Sequence, residues 1–122
     1  MQSDFAVHTH MTGSVMTFAL TGELDIVSSP ALERAIAELA GSEAELVVVD
    51  LRGLEFMDST GLHLVLQAQQ QTHDLGRRFA LIRGPEQVQR LFDLTGLAST
   101  LTIVGSPQEL RELEADPAPG AP

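Results

Sequence analysis

The sequence predicts a single α/β domain, a mixed and mostly parallel β-sheet with flanking helices in the order ββαβαβαβα. Three observations carry this prediction. The chain has 122 residues, the length of one domain. After an opening hairpin, strand-like runs alternate with helix-like runs, which is typical of a largely parallel sheet. The continuous aliphatic run at 46–49 indicates a central strand that is covered on both faces.

The first half of the chain opens with two strands and a helix. Residues 5–10 and 15–20 alternate apolar and polar positions, the period of a strand with one buried face, and Gly13 between them favours a hairpin turn. Residues 21–27 are predicted as a turn or short loop that leaves the second strand. The segment SSP at 28–30 predicts a helix with a hydroxyl N-cap and Pro at its first helical position, and Gly41 ends it.

The second half repeats the alternation of strand and helix. The strand at 46–49 is predicted to end before residues 50–54, which lead into a loop around Asp58. The later elements are a helix at 60–72, a strand at 79–82, a helix from 84–86 onward, a strand at 101–104 and a last helix from 106 to about 114. The Pro-rich segment 116–122 is predicted to be a disordered tail, so the domain comprises residues 1–115. The strand order stays open.

The charge of the chain restricts its partners. Seven basic residues, all Arg, stand against seventeen acidic ones, and the formal net charge is −10. Such a chain is repelled by nucleic acids and by anionic membrane surfaces, so a protein with a basic surface is the more natural partner. No Cys is present, which excludes thiol catalysis and zinc–thiolate sites. The N-terminus carries no signal-peptide pattern and no apolar run is long enough to span a bilayer, so we expect a cytoplasmic protein.

The segment EFMDSTGL at 55–62 is the most informative stretch of the chain. It places Asp58 and Ser59 at the start of a predicted helix. Ser, Thr and Asp at such a position satisfy backbone N–H groups that the first turn leaves unpaired. The same turn carries partial positive charge and therefore favours an anion or a phosphorylated side chain. From these residues alone, a helix cap and a site of phosphate chemistry both stay open.

Catalytic alternatives find little support. The chain has no glycine-rich phosphate loop, no Lys and no Gly-x-Ser-x-Gly motif. The run DSTG is one residue longer than the motif of aspartic proteases. A Ser59 nucleophile activated by His63, four residues later, is the remaining arrangement, but we expect His63 on the solvated side of the helix. His8 and His10 face one side of the first strand without a third metal ligand, so no metal site is predicted. Taken together, these observations predict neither a cofactor nor enzymatic activity.

Two motifs together resemble a known family. The segment FMDSTGL at 56–62, preceded by TGELD at 21–25, resembles the STAS-domain anti-sigma factor antagonists of bacteria, and the resemblance extends over about residues 5–113. In that family, the residue after the loop aspartate is phosphorylated by a partner anti-sigma factor, a serine kinase of the GHKL type. The resemblance therefore implies that Ser59 is the phosphorylation site. It also implies a small sheet flanked by helices, as the alternation of elements predicts.

The resemblance assigns expected roles to the residues around Ser59. Asp58 orients the serine hydroxyl or only caps the helix, and Thr60 is an alternative phosphate acceptor. Gly61 permits close approach of a partner backbone or only relieves crowding in the turn. Glu23 and Asp25 are candidate contacts to the kinase, or else a solvated turn. The predicted partner-binding set is Glu23, Asp25, Asp58, Thr60 and Gly61.

The family mechanism is partner switching. The unphosphorylated antagonist binds the anti-sigma factor and frees a sigma factor; phosphorylation releases the antagonist, and a PPM-type serine phosphatase restores it. We expect a monomer or weak dimer. One alternative is a STAS scaffold or accessory subunit of a stressosome-like or lipid-transport complex. A third class, a nucleotide-binding or weakly hydrolytic protein, would need a phosphate cradle that the sequence lacks.

Overall fold

A computed structural model describes residues 4–115. The predicted tail at 116–122 lies outside the described residues, so the tail and the domain boundary at residue 115 stay predictions. In chain order, the strands and helices are β1 (Ala6–Thr12), β2 (Val15–Leu24), α1 (Ser29–Ala37), a short 3-10 helix (Glu38–Gly41), β3 (Leu46–Met57), α2 (Ser59–Asp74), β4 (Arg78–Ile82), α3 (Glu86–Leu94), a second 3-10 turn (Leu97–Ser99), β5 (Ile103–Val104) and α4 (Pro107–Ala115). The predicted order of elements is confirmed.

The five strands form one mixed sheet in the order β1-β2-β3-β4-β5. β1 pairs antiparallel with β2, whereas the β2–β3, β3–β4 and β4–β5 pairs are all parallel. The carboxyl ends of β2, β3, β4 and β5 therefore point to the same edge of the sheet. Between residues 4 and 115, no helix is both long and apolar enough to cross a membrane.

The core lies on both faces of the central strand β3, as the aliphatic run predicted. Val47, Val49 and Leu51 contribute to a large apolar cluster that also holds the buried apolar side chains of α1, α2 and α3. Leu46 and Val48 point to the opposite face, where a smaller cluster is joined by Leu110 of α4. The two-residue period of the strand thus divides its side chains between two helical layers.

Several predicted strand boundaries were wrong. β1 runs to Thr12 instead of residue 10, β5 comprises only Ile103–Val104 of the predicted 101–104, and β2 and β3 are longer than expected. Residues 21–24 belong to β2 and residues 50–57 belong to β3, and the two segments pair in parallel. The pairing shifts register between Ala19 and Thr21 and between Gly22 and Glu23. These shifts are β-bulges or similar irregularities, and the two strands stay paired on either side of them. Gly22, at φ +85, lies in this irregular stretch, and its glycine signal reflects a bulge instead of a turn.

Candidate functional site

The candidate site lies where β2 and β3 end side by side. Glu23 is in register with Phe56, and Leu24 is in register with Met57. The backbone N–H of Asp58 donates to the carbonyl of Leu24 at 3.3 Å, which ties the start of α2 to the end of β2. The loop after β2 and the loop after β3 are therefore neighbours, as the two sequence motifs implied.

Asp58 caps helix α2. Its Oδ1 accepts hydrogen bonds from the backbone N–H groups of Thr60 at 2.9 Å and Gly61 at 3.2 Å. Two of the N–H groups that the first turn would leave unpaired are thereby satisfied. Of the two roles expected for Asp58, the cap is confirmed. Between residues 4 and 115, no hydrogen bond links its carboxylate to the hydroxyl of Ser59.

Ser59 is the first residue of α2 and is exposed. Within the described chain, its hydroxyl makes no hydrogen bond, so its oxygen is accessible and unengaged. His63, one turn further along, is also exposed, and no hydrogen bond joins it to Ser59 among the described residues. The hydroxyl of Ser59 is therefore open to solvent.

Gly61 is buried directly beneath this turn. A Cβ placed there would lie 2.6 Å from Cγ of Met57 and 2.8 Å from Cγ of Leu24, both closer than van der Waals contact permits. The residue lets α2 start tightly against the ends of β2 and β3. This geometry agrees with relief of crowding, one of the two roles expected for Gly61, and a partner contact there stays a prediction.

The loop after β2 is a tight hydrogen-bonded turn. Oδ1 of Asp25 accepts from the backbone N–H groups of Val27 and Ser28, each at 3.0 Å. The backbone hydrogen bond from Ser28 contributes most to holding the pKa of the half-buried Asp25 carboxyl below its usual value. The ionised carboxylate is thus the form that organises the turn.

The hydroxyl cap predicted from SSP at 28–30 does not form, and the helix begins at Ser29, so Pro30 is its second residue instead of its first. Ser28 occupies the N-cap position of α1, but its side chain accepts no hydrogen bond from the helix. Instead, Oγ donates to the carbonyl of Glu23 at 2.8 Å and accepts from the backbone N–H of Asp25 at 2.9 Å. The prediction failed because the adjacent turn competes for the same hydroxyl.

Sequence reasoning missed three apolar side chains at this end of the molecule. Ile26 and Val27, in the turn after β2, are 72% and 78% exposed, and Phe56, next to the end of β3, is 47% exposed. We call these three residues the apolar rim. Ile26 and Val27 could have been noticed in the sequence as two aliphatic residues inside a segment predicted as a loop, where polar residues are usual.

A second carboxylate, Asp50, is occupied by an ion pair. Nη2 of Arg52 donates to Oδ2 of Asp50 at 2.8 Å. Burial raises the pKa of Asp50, but the hydrogen bonds and charge of Arg52 outweigh it, and the pKa lies below its usual value. His8 and His10, on β1, are exposed, and within residues 4–115 no group of three or more potential ligands could hold a metal ion.

The fold and the site together define a small α/β domain that presents one unengaged serine at a capped helix start. Family comparison agrees, and the chain belongs to the STAS domain family, whose model matches residues 6–110. The anti-sigma-B factor antagonist of Bacillus subtilis (strain 168) is 33% identical over 84 residues, which cover 69% of this chain and 76% of that protein. The anti-sigma-F factor antagonist RsfB of Mycobacterium tuberculosis is 29% identical over 89 residues, covering 73% and 72%. Both relatives are named as antagonists of anti-sigma factors.

Solved structures show the same fold. An anti-sigma factor antagonist from Mycobacterium paratuberculosis superposes with a TM-score of 0.82 at 25% identity, covering 93% of this chain and 96% of that one. The unphosphorylated form of the anti-sigma factor antagonist SpoIIAA gives a TM-score of 0.75 at 20% identity, covering 92% and 99%. The described elements therefore correspond to nearly the whole fold of these two structures.

Proposed function

We propose that this protein is an anti-sigma factor antagonist whose binding is controlled by phosphorylation of Ser59. In its unphosphorylated form it binds an anti-sigma factor, a serine kinase of the GHKL type, and so frees a sigma factor. Phosphorylation by the kinase releases it, and a PPM-type serine phosphatase restores it. The observation that carries the proposal is the exposed and unengaged hydroxyl of Ser59 at the start of α2. The relatives are named as antagonists of anti-sigma factors, and we therefore expect an anti-sigma factor as the partner.

The surroundings of Ser59 suit a charge switch. A phosphate adds about −1.5 to −2 charge at neutral pH. On Ser59 it would follow Asp58 in the chain, and the backbone N–H of Asp58 is hydrogen-bonded to Leu24, which Glu23 and Asp25 flank. The chain already carries a net charge of −10. A thousandfold loss of affinity corresponds to about 4 kcal/mol, and like charges forced together at an interface cost several kcal/mol.

Phosphorylation should leave the fold intact. The start of a helix carries partial positive charge and stabilises a nearby anion, typically by about 0.3–1 kcal/mol. Because Ser59 is exposed and its hydroxyl makes no hydrogen bond to residues 4–115, a modified serine breaks no hydrogen bond of the domain. The switch therefore acts on the surface that a partner contacts. We place Glu23, Asp25, Asp58, Thr60 and Gly61 in or beneath that surface, and the cytoplasm remains the predicted compartment.

The test uses the protein as bait in a lysate of its source organism, with the wild type, Ser59→Ala and Ser59→Asp compared. We expect Ser59→Ala to retain a small GHKL-type kinase and Ser59→Asp to lose it. Circular dichroism of the three proteins should be the same. Equal recovery of the same partners by all three, or recovery only of further copies of this chain, would contradict the proposal and favour a scaffold.

A further inference from the structure

The apolar rim stands out among the exposed side chains. Six large apolar residues are exposed within residues 4–115, and three of them, Ile26, Val27 and Phe56, form the rim. Single exposed apolar residues are ordinary on protein surfaces. Here, however, the turn at 25–28 follows β2 directly, and Phe56 is paired with Glu23 of that strand. The rim and Ser59 therefore share one end of the molecule.

The turn holds Ile26 and Val27 outward. Besides the two hydrogen bonds to Oδ1 of Asp25, the backbone N–H of Ser29 donates to the carbonyl of Asp25 at 2.9 Å. The hydroxyl of the buried Ser29 donates to the carbonyl of Ile26 at 3.1 Å. A backbone fixed at this many points cannot easily turn its apolar side chains inward. Binding through a preorganised surface loses less conformational entropy than binding through a mobile loop.

We infer that the apolar rim seats in an apolar depression of the anti-sigma factor, and that this contact makes a phosphate on Ser59 incompatible with binding. The inference rests on the proposed function and specifies the chemistry of the partner surface. An apolar contact closed around Ser59 excludes water, and a phosphate dianion without water or cations is costly to bury. In the unphosphorylated state, burial of the rim therefore contributes to affinity. In the phosphorylated state, the same dry contact makes burial of the phosphate unfavourable and so weakens binding.

Continuity with the Ser59 site selects the anti-sigma factor as the occupant. A partner that senses Ser59 covers the start of α2, and the hydrogen bond from Asp58 to Leu24 keeps the turn after β2 beside that start. The rim therefore lies on the side of the sheet edge that such a partner approaches. Leu94, at the end of α3, is as exposed as Val27 at 78% but lies outside the site. It provides a matched control.

The experiment measures the affinity of the purified kinase, recovered with the Ser59→Ala bait, for four proteins: the wild type, the double variant Ile26→Ser/Val27→Ser, Leu94→Ser and Ser59→Asp. We expect the double variant to bind at least tenfold more weakly and Leu94→Ser to bind within twofold of the wild type. Thermal melting should show that both serine variants remain folded, since the replaced side chains are exposed.

A fifth protein, which combines the double variant with Ser59→Asp, tests the second part of the inference. When Ser59→Asp is added to the double variant, whose rim is polar, it should weaken binding by a smaller factor than when it is added to the wild type. Wild-type affinity of the double variant, an equal loss for Leu94→Ser, or a change confined to self-association in sedimentation would overturn the inference. If Ser59→Asp binds as the wild type does, or no kinase is recovered, the proposed function fails as well.

Discussion

Helices α1 and α2 begin in similar ways but use their hydroxyl groups differently. Each helix follows one of two adjacent parallel strands, and each begins near an Asp and a Ser. At α1, the hydroxyl of Ser28 is engaged in the turn with Asp25 and Glu23. At α2, the carboxylate of Asp58 takes over the capping, and Ser59 is left exposed. A serine at a helix start is thus structural where its hydroxyl is engaged and available where a neighbour does the capping.

The largest expected effect comes from placing a negative charge at each helix start in turn. Ser59→Asp should lower affinity for the kinase about a thousandfold, which corresponds to about 4 kcal/mol, with little change in melting temperature. Ser28→Asp should instead lower the melting temperature, because its carboxylate would face that of Asp25, whose Oδ1 lies 3.1 Å from Oγ of Ser28. Titration calorimetry and thermal denaturation separate the two outcomes. Equal destabilisation by both substitutions would remove the distinction.

Packing beneath α2 gives the next effect. Gly61→Ala should reduce the free energy of unfolding by about 1–3 kcal/mol, because the added methyl group overlaps Met57 and Leu24. Gly41→Ala is the control, since a Cβ at that position meets nothing within 4 Å. Urea denaturation of both variants measures the difference. Equal stability would mean that the turn before α2 relaxes readily, and that the presentation of Ser59 does not depend on tight packing.

The cap itself gives a smaller effect. Asp58→Ala should reduce stability by about 1 kcal/mol, whereas Asp58→Asn should retain most of it, because Asn is also a favourable N-cap residue. The Asn variant keeps the hydrogen bonds to Thr60 and Gly61 but removes the charge beside Ser59. Urea denaturation reports the cap. If Asp58→Asn is as unstable as Asp58→Ala, the negative charge rather than the hydrogen bonding of Asp58 stabilises this helix start.

Acid should weaken the turn before α1. Since the pKa of Asp25 is lower in the folded protein than its ordinary value of 3.8, the carboxylate contributes stability above that pH. The contribution is lost as the pH falls through the lowered folded pKa. Asp25→Asn should therefore make stability less dependent on pH in acid, which melting temperatures measured across this range would show. An unchanged pH dependence would mean that the turn is held by its backbone and Ser28 alone.

Much of this arrangement is predictable from the sequence, and the failures share a physical cause. The alternation of strands and helices, the buried run of β3 and the proximity of residues 21–25 to 56–62 follow from periodicity and family motifs. The extension of β2 and β3 does not, because pairing between distant segments overrides the local turn signals of Gly22 and Gly53. At Gly53, an added Cβ would lie 2.8 Å from the carbonyl oxygen of Leu20 on the neighbouring strand, a proximity that only the fold creates.

The sequence did not reveal which serine hydroxyl is engaged in hydrogen bonds at each helix start. SSP at 28–30 and DST at 58–60 both predict a helix start, and residue type alone assigns a cap to each. Which hydroxyl is engaged depends on the carbonyl of Glu23 and the turn of Asp25, three to five residues away along a bent chain. The apolar rim escaped prediction for a related reason. Aliphatic residues in a loop reveal their exposure only when the backbone of the turn is known.

The most direct test is to determine which hydroxyl the kinase phosphorylates. The purified protein would be incubated with ATP and the kinase recovered with the Ser59→Ala bait, and the modified residue would be mapped by mass spectrometry. We expect one phosphate, on Ser59, with none on Ser28 or Ser29 and none on the Ser59→Ala variant. Phosphate on Thr60 or Ser28 in the wild type, or undiminished phosphorylation of Ser59→Ala, would contradict the assignment of the switch to Ser59.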